Sequence, residues 1–128
     1  MYRVSTHPHR MKLRLDGTTH EYIAAAVYRD GTPRAVLLRA AILAADSAQV
    51  DGLALSRASS RTGGAAHGAK HPGVALRVCG ECRARIVALA HKHVVPEAVA
   101  ARALITDGLS RDWEAHVTQA TQGDLWGR

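Results

Sequence analysis

Four side chains in the second half of the sequence could ligate a metal ion. The thiols of Cys79 and Cys82 are three positions apart, and the imidazoles of His91 and His93 follow in the next predicted helix. The spacing C-x2-C-x8-H-x-H matches no common zinc finger, and histidines two positions apart on a helix diverge to different faces. We therefore expect no cofactor and interpret the cysteines as small hydrophobic residues where a strand meets a helix; a structural zinc site at these four residues stays open as the weaker alternative.

The stretch VCGECR, residues 78–83, is similar to the second zinc motif of cytidine deaminases, PCGxCR. That family also needs an upstream triplet that supplies the third ligand and a proton-transferring glutamate. The sequence has no such triplet, and the proline before Cys79 is absent. No nucleophile with a base and no phosphate-binding glycine loop stands out either. We expect no enzymatic activity.

Lys12 and Arg14 suggest a different chemistry, the binding of anionic groups. Charged and apolar residues alternate over MKLRLD, which predicts a strand with one basic and one apolar face. The 128-residue chain has a net charge of +6, and residues 1–45 hold seven Lys or Arg against three Asp or Glu. A basic balance of this kind fits a nucleic-acid or anionic-membrane partner.

The sequence contains an internal repeat with an offset of 63 residues. Residues 13–45 align without a gap on residues 76–108, and eleven of the 33 aligned positions are identical. A glycine follows the strand in both copies, and a proline lies sixteen residues later, at Pro33 and Pro96. We interpret the two segments as copies of one structural unit.

Each copy is predicted to form a strand followed by two helices. The strands cover residues 11–16 and 74–79, and helical spacing of apolar residues follows in both copies. Thr32 has the side chain of an N-cap, and Pro33 suits the first position of a second helix that runs to about residue 45. Its counterpart begins at Pro96 and runs through residue 109.

A strand, two short helices and a proline-containing turn resemble the ribbon-helix-helix family of DNA-binding proteins, of the Arc and MetJ type. The matching residues are KLRL, GTP and LRAAI in the first copy, and LRV, VPE and ARALI in the second. In that family two strands pair as an antiparallel ribbon above four helices. One strand with two helices cannot pair its backbone groups or bury an adequate core. We therefore expect a mostly α fold with a two-stranded antiparallel β-ribbon, a tandem ribbon-helix-helix pseudo-dimer similar in layout to TraY-type conjugation proteins.

The resemblance implies that double-stranded DNA is the partner and that the ribbon enters the major groove. The residues expected to face the bases are Lys12, Arg14, Ala75 and Arg77. Those expected to contact phosphates are Gly31, Thr32, Arg34 and Val95 at the starts of the second helices, with Arg10 in the N-terminal arm. Because Ala75 replaces Lys12 and Glu97 replaces Arg34 in the second copy, we expect an asymmetric binding site.

Arg39 and Arg102 recur in both copies on helices that should be mostly buried. This favours a structural role, either capping or pairing with an acid such as Glu21.

We divide the chain into five segments: an N-terminal arm (1–10), a first repeat (11–46), a linker (47–72), a second repeat (73–113) and a C-terminal tail (114–128). Within the linker, SRASSRTGGAAHGAKHP is rich in Gly, Ser and Ala without periodicity and is predicted to be flexible, while VDGLAL before it is considered as a helix extension. The tail is predicted to be loose.

The cysteine count and the lack of an apolar leader predict a cytoplasmic protein. The most apolar window is too short to span a bilayer, so we expect no membrane partner. We expect a transcriptional repressor or a plasmid-transfer accessory protein, and we consider further copies of the chain on adjacent DNA sites as partners. Two alternatives stay open: an antitoxin-like module that binds DNA and protein, and a helical protein-interaction domain without a DNA role.

Overall fold

The structure is a computed structural model that describes residues 9–64, 73–78 and 80–126. Its elements occur in the following order along the chain: β1 (His9–Leu13), α1 (Gly17–Asp30), α2 (Arg34–Ala44), a 3-10 turn (Ser47–Gln49), α3 (Gly52–Gly64), β2 (Val74–Val78), α4 (Gly80–His93), α5 (Glu97–Leu109), a second 3-10 turn (Trp113–His116) and α6 (Val117–Trp126). The expectation of a mostly helical protein with a two-stranded antiparallel sheet is confirmed.

The two strands pair antiparallel over five residue pairs, with Met11 opposite Leu76 at the centre and Lys12 opposite Ala75 beside it. Lys12 and Ala75 are 63 positions apart, which is the offset of the sequence repeat. Alternation along each strand turns one face inward: Leu13, Val74, Leu76 and Val78 on this face are buried, and Met11 is partly buried. This apolar face lies on the helices, as the alternating pattern predicts.

The prediction that the first strand covers residues 11–16 is wrong at both ends. His9 and Arg10 pair with β2, so the strand begins two residues earlier. It ends at Leu13 because Asp16 is the N-cap of α1, where its side chain accepts a hydrogen bond of 2.9 Å from the backbone N–H of Thr19. Capping takes the chain out of the ribbon before residue 16.

The turns between paired helices also differ from the prediction. Gly31 ends α1 in the left-handed conformation, with φ of 73°, and its N–H donates to the carbonyl of Val27. Pro33, not Thr32, is the N-cap of α2, and no side chain caps that end. The proline ring fixes φ near the value required there, so the helix begins at Arg34 without a hydroxyl cap.

Helices α2 and α5 form the centre of the core. Eight consecutive residues of α2, Val36 to Leu43, are buried because α1, α4, α5 and α6 surround it. The two central helices approach closely through small residues, and Gly108 of α5 lies against the backbone of Ala41. Alanine-rich helices permit this approach, which explains how a core without phenylalanine is densely packed.

The prediction of a flexible linker over residues 47–72 is corrected by α3. Leu55 and Ala58 of this helix are buried against α5, and the Nε of Arg102 donates to the Ala58 carbonyl at 3.1 Å. The apolar spacing of Val50, Leu55 and Ala58 was a signal that the Gly/Ser/Ala composition obscured. Residues 65–72 lie outside the described part of the chain.

The prediction of a loose tail after residue 113 is corrected in the same way. Trp113 is 2% exposed, and its indole N–H donates to the Tyr22 hydroxyl at 3.0 Å. Ala120 of α6 is buried against α2, and its carbonyl accepts a hydrogen bond from the buried Arg39. Trp113 ends the predicted second repeat, and within the described part of the predicted tail the burial of Ala120 shows that α6 packs on the core.

We expect Gly108→Ala to destabilise the fold by about 3 kcal/mol, because a Cβ at this position would overlap the carbonyl oxygen of Ala41. Gly52→Ala is the matched control, since a Cβ there meets no atom within 4 Å. Urea unfolding of both variants measures the difference. Equal stability of the two variants would show that α2 and α5 do not approach as closely as described.

Candidate nucleic-acid interface

The outward face of the ribbon, which we call the basic ribbon face, carries four cations, Arg10, Lys12, Arg14 and Arg77, together with Ala75. All five residues are exposed. Strand pairing places Lys12 opposite Ala75 and Arg10 opposite Arg77, while Arg14 follows the last paired residue of β1. The structure thus brings together the four residues that the sequence predicts to face DNA bases.

The prediction that Arg10 lies in the N-terminal arm is wrong, because Arg10 lies inside β1. The signal was present in the sequence, because Arg10, Lys12 and Arg14 occupy every second position. Residues 1–8 of the arm lie outside the described residues, and Arg10 joins the ribbon set.

The pairing of Arg10 with Arg77 has an electrostatic cost. Like charges directly opposite each other in a sheet are destabilising, by an amount comparable to the roughly 0.2–1 kcal/mol of favourable pairs. None of the ion pairs in the described part of the chain involves Arg10, Lys12, Arg14 or Arg77. An anion bound over the ribbon would reduce this repulsion.

A further cation lies beneath the ribbon. Arg39 is 3% exposed, and its guanidinium donates from Nη1 to the Arg77 carbonyl at 3.3 Å and from Nε to the Ala120 carbonyl at 3.2 Å. The role is structural, as the sequence predicts, and these two acceptors are backbone carbonyls. Arg39 connects β2 to α6 and supports the strand that carries Arg77.

The turn before α2 is an open, polar helix start. Gly31 and Arg34 are exposed, and Thr32 is half-buried. The neighbouring Asp30 carboxylate would repel an anion, but Arg29 offsets its charge and donates two hydrogen bonds to it, of 2.8 and 2.7 Å. The same contacts lower the pKa of the Asp30 carboxyl, which stays ionised in this ion pair. The first backbone N–H groups of α2 have no side-chain cap, so this end is suited to an anionic oxygen.

The corresponding turn before α5 is not suited to phosphate, and the assignment of Val95 is corrected. The N–H of Val95 donates to the Ala90 carbonyl at 3.0 Å, so it is not available to a ligand. Glu97 at the helix start forms an ion pair with Arg83. Val94 is exposed with φ of 54°, a strained conformation for a β-branched residue at the position where the first repeat has Gly31.

The metal-capable residues do not come together in the described part of the chain. Cys82 is buried, and its thiol lies 3.6 Å from the Arg39 carbonyl oxygen as a hydrogen-bond donor. Cys79 lies outside the described residues. His91 is exposed and His93 is half-buried on α4, and no group of three potential metal ligands occurs among the residues that the structure describes.

Across the described ranges, no helix combines the length and the apolar character that crossing a bilayer requires.

We expect Arg10→Glu to stabilise the folded state by about 1 kcal/mol at low salt, because it converts a like-charge cross-strand pair into an opposite-charge pair. Urea unfolding at low and high salt measures the effect, which should shrink as salt screens it. Arg10→Gln, which only removes the repulsion, should give a smaller gain. A loss of stability in both variants at low salt would contradict the described cross-strand pairing.

Comparisons with protein-family models, curated proteins and solved structures find no match to the chain.

Proposed function

We propose that this protein binds double-stranded DNA by placing the basic ribbon face in the major groove. The observation that carries the proposal is an exposed two-stranded ribbon with four cations on one face, two of them directly opposite each other. A two-stranded ribbon fits the major groove, and Arg and Lys donate there to guanine O6 and N7. Bound DNA would offset the repulsion between Arg10 and Arg77, because phosphates and base edges supply negative charge. The repulsion would therefore favour DNA binding.

We further propose that the chain is a tandem ribbon-helix-helix pseudo-dimer. Support comes from the ribbon register, because Lys12 faces Ala75, its own counterpart in the repeat, as a pseudo-two-fold axis through the ribbon would require. The third helices add support. α3 of the first half packs on α5 of the second, and α6 of the second half packs on α2 of the first. Arg102 and Arg39, which are repeat counterparts, make equivalent hydrogen bonds in these two contacts.

The two halves should contribute unequally to DNA binding. The first half has Lys12 on the ribbon and the open helix start at Arg34, whereas the second has Ala75 and the occupied turn at Val95. Glu97 neutralises the positive charge of Arg83 in an ion pair, so this turn attracts a phosphate less strongly. The recognised sequence should therefore be asymmetric, with the stronger half-site under the first repeat.

A repressor or an accessory protein of DNA transfer would use this binding surface in the same way. The antitoxin-like alternative, in which a C-terminal appendage binds another protein, has less support. Ala120 of α6 is buried against α2, so the described part of the segment after Trp113 packs on the domain. The proposal therefore assigns one activity, DNA recognition, to the described part of the chain.

Removing a ribbon arginine should relax sequence preference. We expect Arg14→Ala and Arg77→Ala each to lose about 1–3 kcal/mol of discrimination between the preferred DNA sequence and mismatched ones. Gel-shift titration against a preferred and a scrambled fragment measures this ratio. Lys92→Ala, an exposed charge removal on the last turn of α4, is the control and should leave the ratio unchanged. A ratio unchanged in both ribbon variants would place recognition elsewhere.

Removing the phosphate anchor should weaken binding without changing preference. We expect Arg34→Ala to lower affinity for preferred and scrambled DNA by the same factor, and to reduce the slope of log affinity against log salt concentration by about 1. The same titration at several salt concentrations provides both numbers. If Arg34→Ala changed only the preferred complex, the α2 start would contact bases and the phosphate assignment would be wrong.

A further inference from the structure

Ala75 is the uncharged residue of the basic ribbon face, and it lies among cations. It is exposed and directly opposite Lys12. The next outward pair along the ribbon is Arg10 with Arg77, and Arg14 lies beyond Lys12 toward the other end. The Ala75 side chain is a single methyl group, so it forms a small apolar recess between four longer and charged side chains.

The carbon stem of Lys12 runs along the ribbon toward Gly73, the residue before β2. A Cβ added to Gly73 would lie 2.7 Å from Cγ and Cε of Lys12 and 3.1 Å from its Cδ. Carbon atoms do not approach this closely without overlap, so a glycine at this position leaves room for the stem. Lys12 therefore extends toward the end of the ribbon where Arg14 lies, and the methyl group of Ala75 stays accessible.

An accessible methyl group between cations matches a specific pattern of base edges in the major groove. Arg and Lys donate to guanine O6 and N7, whereas the methyl group of an alanine makes apolar contact with the 5-methyl group of thymine. Successive outward residues of a strand are about 6.7 Å apart, which is about two base-pair steps. The cations on either side of Ala75 would therefore reach base pairs about two steps away from it.

We propose that Ala75 selects a thymine in the recognised DNA by contact with its 5-methyl group, and that Gly73 keeps this contact open by accommodating the Lys12 stem. The inference rests on the proposed DNA binding and adds to it the identity of one base. Ala75 replaces the lysine of the first copy. This replacement is therefore a change of base preference, from guanine to thymine, and not only the loss of a charge.

The experiment replaces each thymine in turn by uracil, which lacks only the 5-methyl group, in a fragment that the full chain enriches from a random double-stranded library. Gel-shift titration of the natural chain should show a thymine position at which uracil weakens binding about fourfold, the effect of one methyl group no longer buried. Ala75→Gly should abolish this uracil penalty. Ala48→Gly, at an exposed alanine of the first 3-10 turn, is the matched control and should keep the penalty.

Gly73→Ala tests the same contact by a different route and keeps the proposal falsifiable if Ala75→Gly does not fold. The added methyl group displaces the Lys12 stem, and we expect the stem to cover Ala75 and the uracil penalty to fall. The double variant Gly73→Ala/Lys12→Ala removes the stem, so it should restore the penalty even though its overall affinity is lower.

A penalty that is lost in a folded Ala75→Gly variant and kept in Ala48→Gly supports the thymine contact. The inference is overturned if the enriched fragment has no uracil-sensitive thymine, or if folded Ala75→Gly keeps the penalty. A penalty unchanged in Gly73→Ala would overturn the role of Gly73. Failure to enrich any fragment would instead contradict the proposed DNA binding, so the two failures are distinguishable.

Discussion

The antiparallel pairing of β1 with β2 is the constraint on which the rest of the structure depends. Neither five-residue strand can satisfy its backbone groups alone, and the two strands lie sixty residues apart in the sequence. Their pairing brings the two halves of the chain together, buries Leu13 and Leu76 above the helices and turns every charged alternate residue outward. The register that buries the apolar face of the ribbon also places Arg10 opposite Arg77. The strand pairing that stabilises the fold therefore also causes the repulsion between these two arginines.

Two buried or half-buried arginines extend this arrangement to the outer helices. Arg39 donates to backbone carbonyls of β2 and α6, and Arg102 donates to a carbonyl of α3. Each arginine lies on a central helix of one half and contacts the third helix of the other half. A buried guanidinium without such acceptors would be costly, because its N–H groups would lose their hydration without replacement. The crossing of the third helices thus explains why an arginine recurs at this position in an otherwise apolar helix.

The sequence predicted the ribbon faces and the paired helices well, because alternation in KLRLD and VALRV and the 63-residue repeat are strong local signals. It predicted the ends of these elements poorly. The N-cap at Asp16 ends β1 earlier than expected, and α2 begins after Pro33 without a hydroxyl cap. Most of α3 was assigned to a linker because its composition resembles one, and few of its described side chains, among them Leu55 and Ala58, are buried. The loss of the Val95 anchor could not be predicted, since the hydrogen bond from its N–H to Ala90 depends on the left-handed conformation of Val94.

Chemical methylation of bound DNA tests the proposed major-groove recognition most directly. Fragments enriched by the protein from a random double-stranded library would be methylated with dimethyl sulfate, which modifies guanine N7 in the major groove and adenine N3 in the minor groove. Our account predicts that methylation of guanine N7 within one short segment prevents binding, and that methylation of adenine N3 there does not. Failure to enrich any sequence, or interference confined to adenine N3, would contradict it.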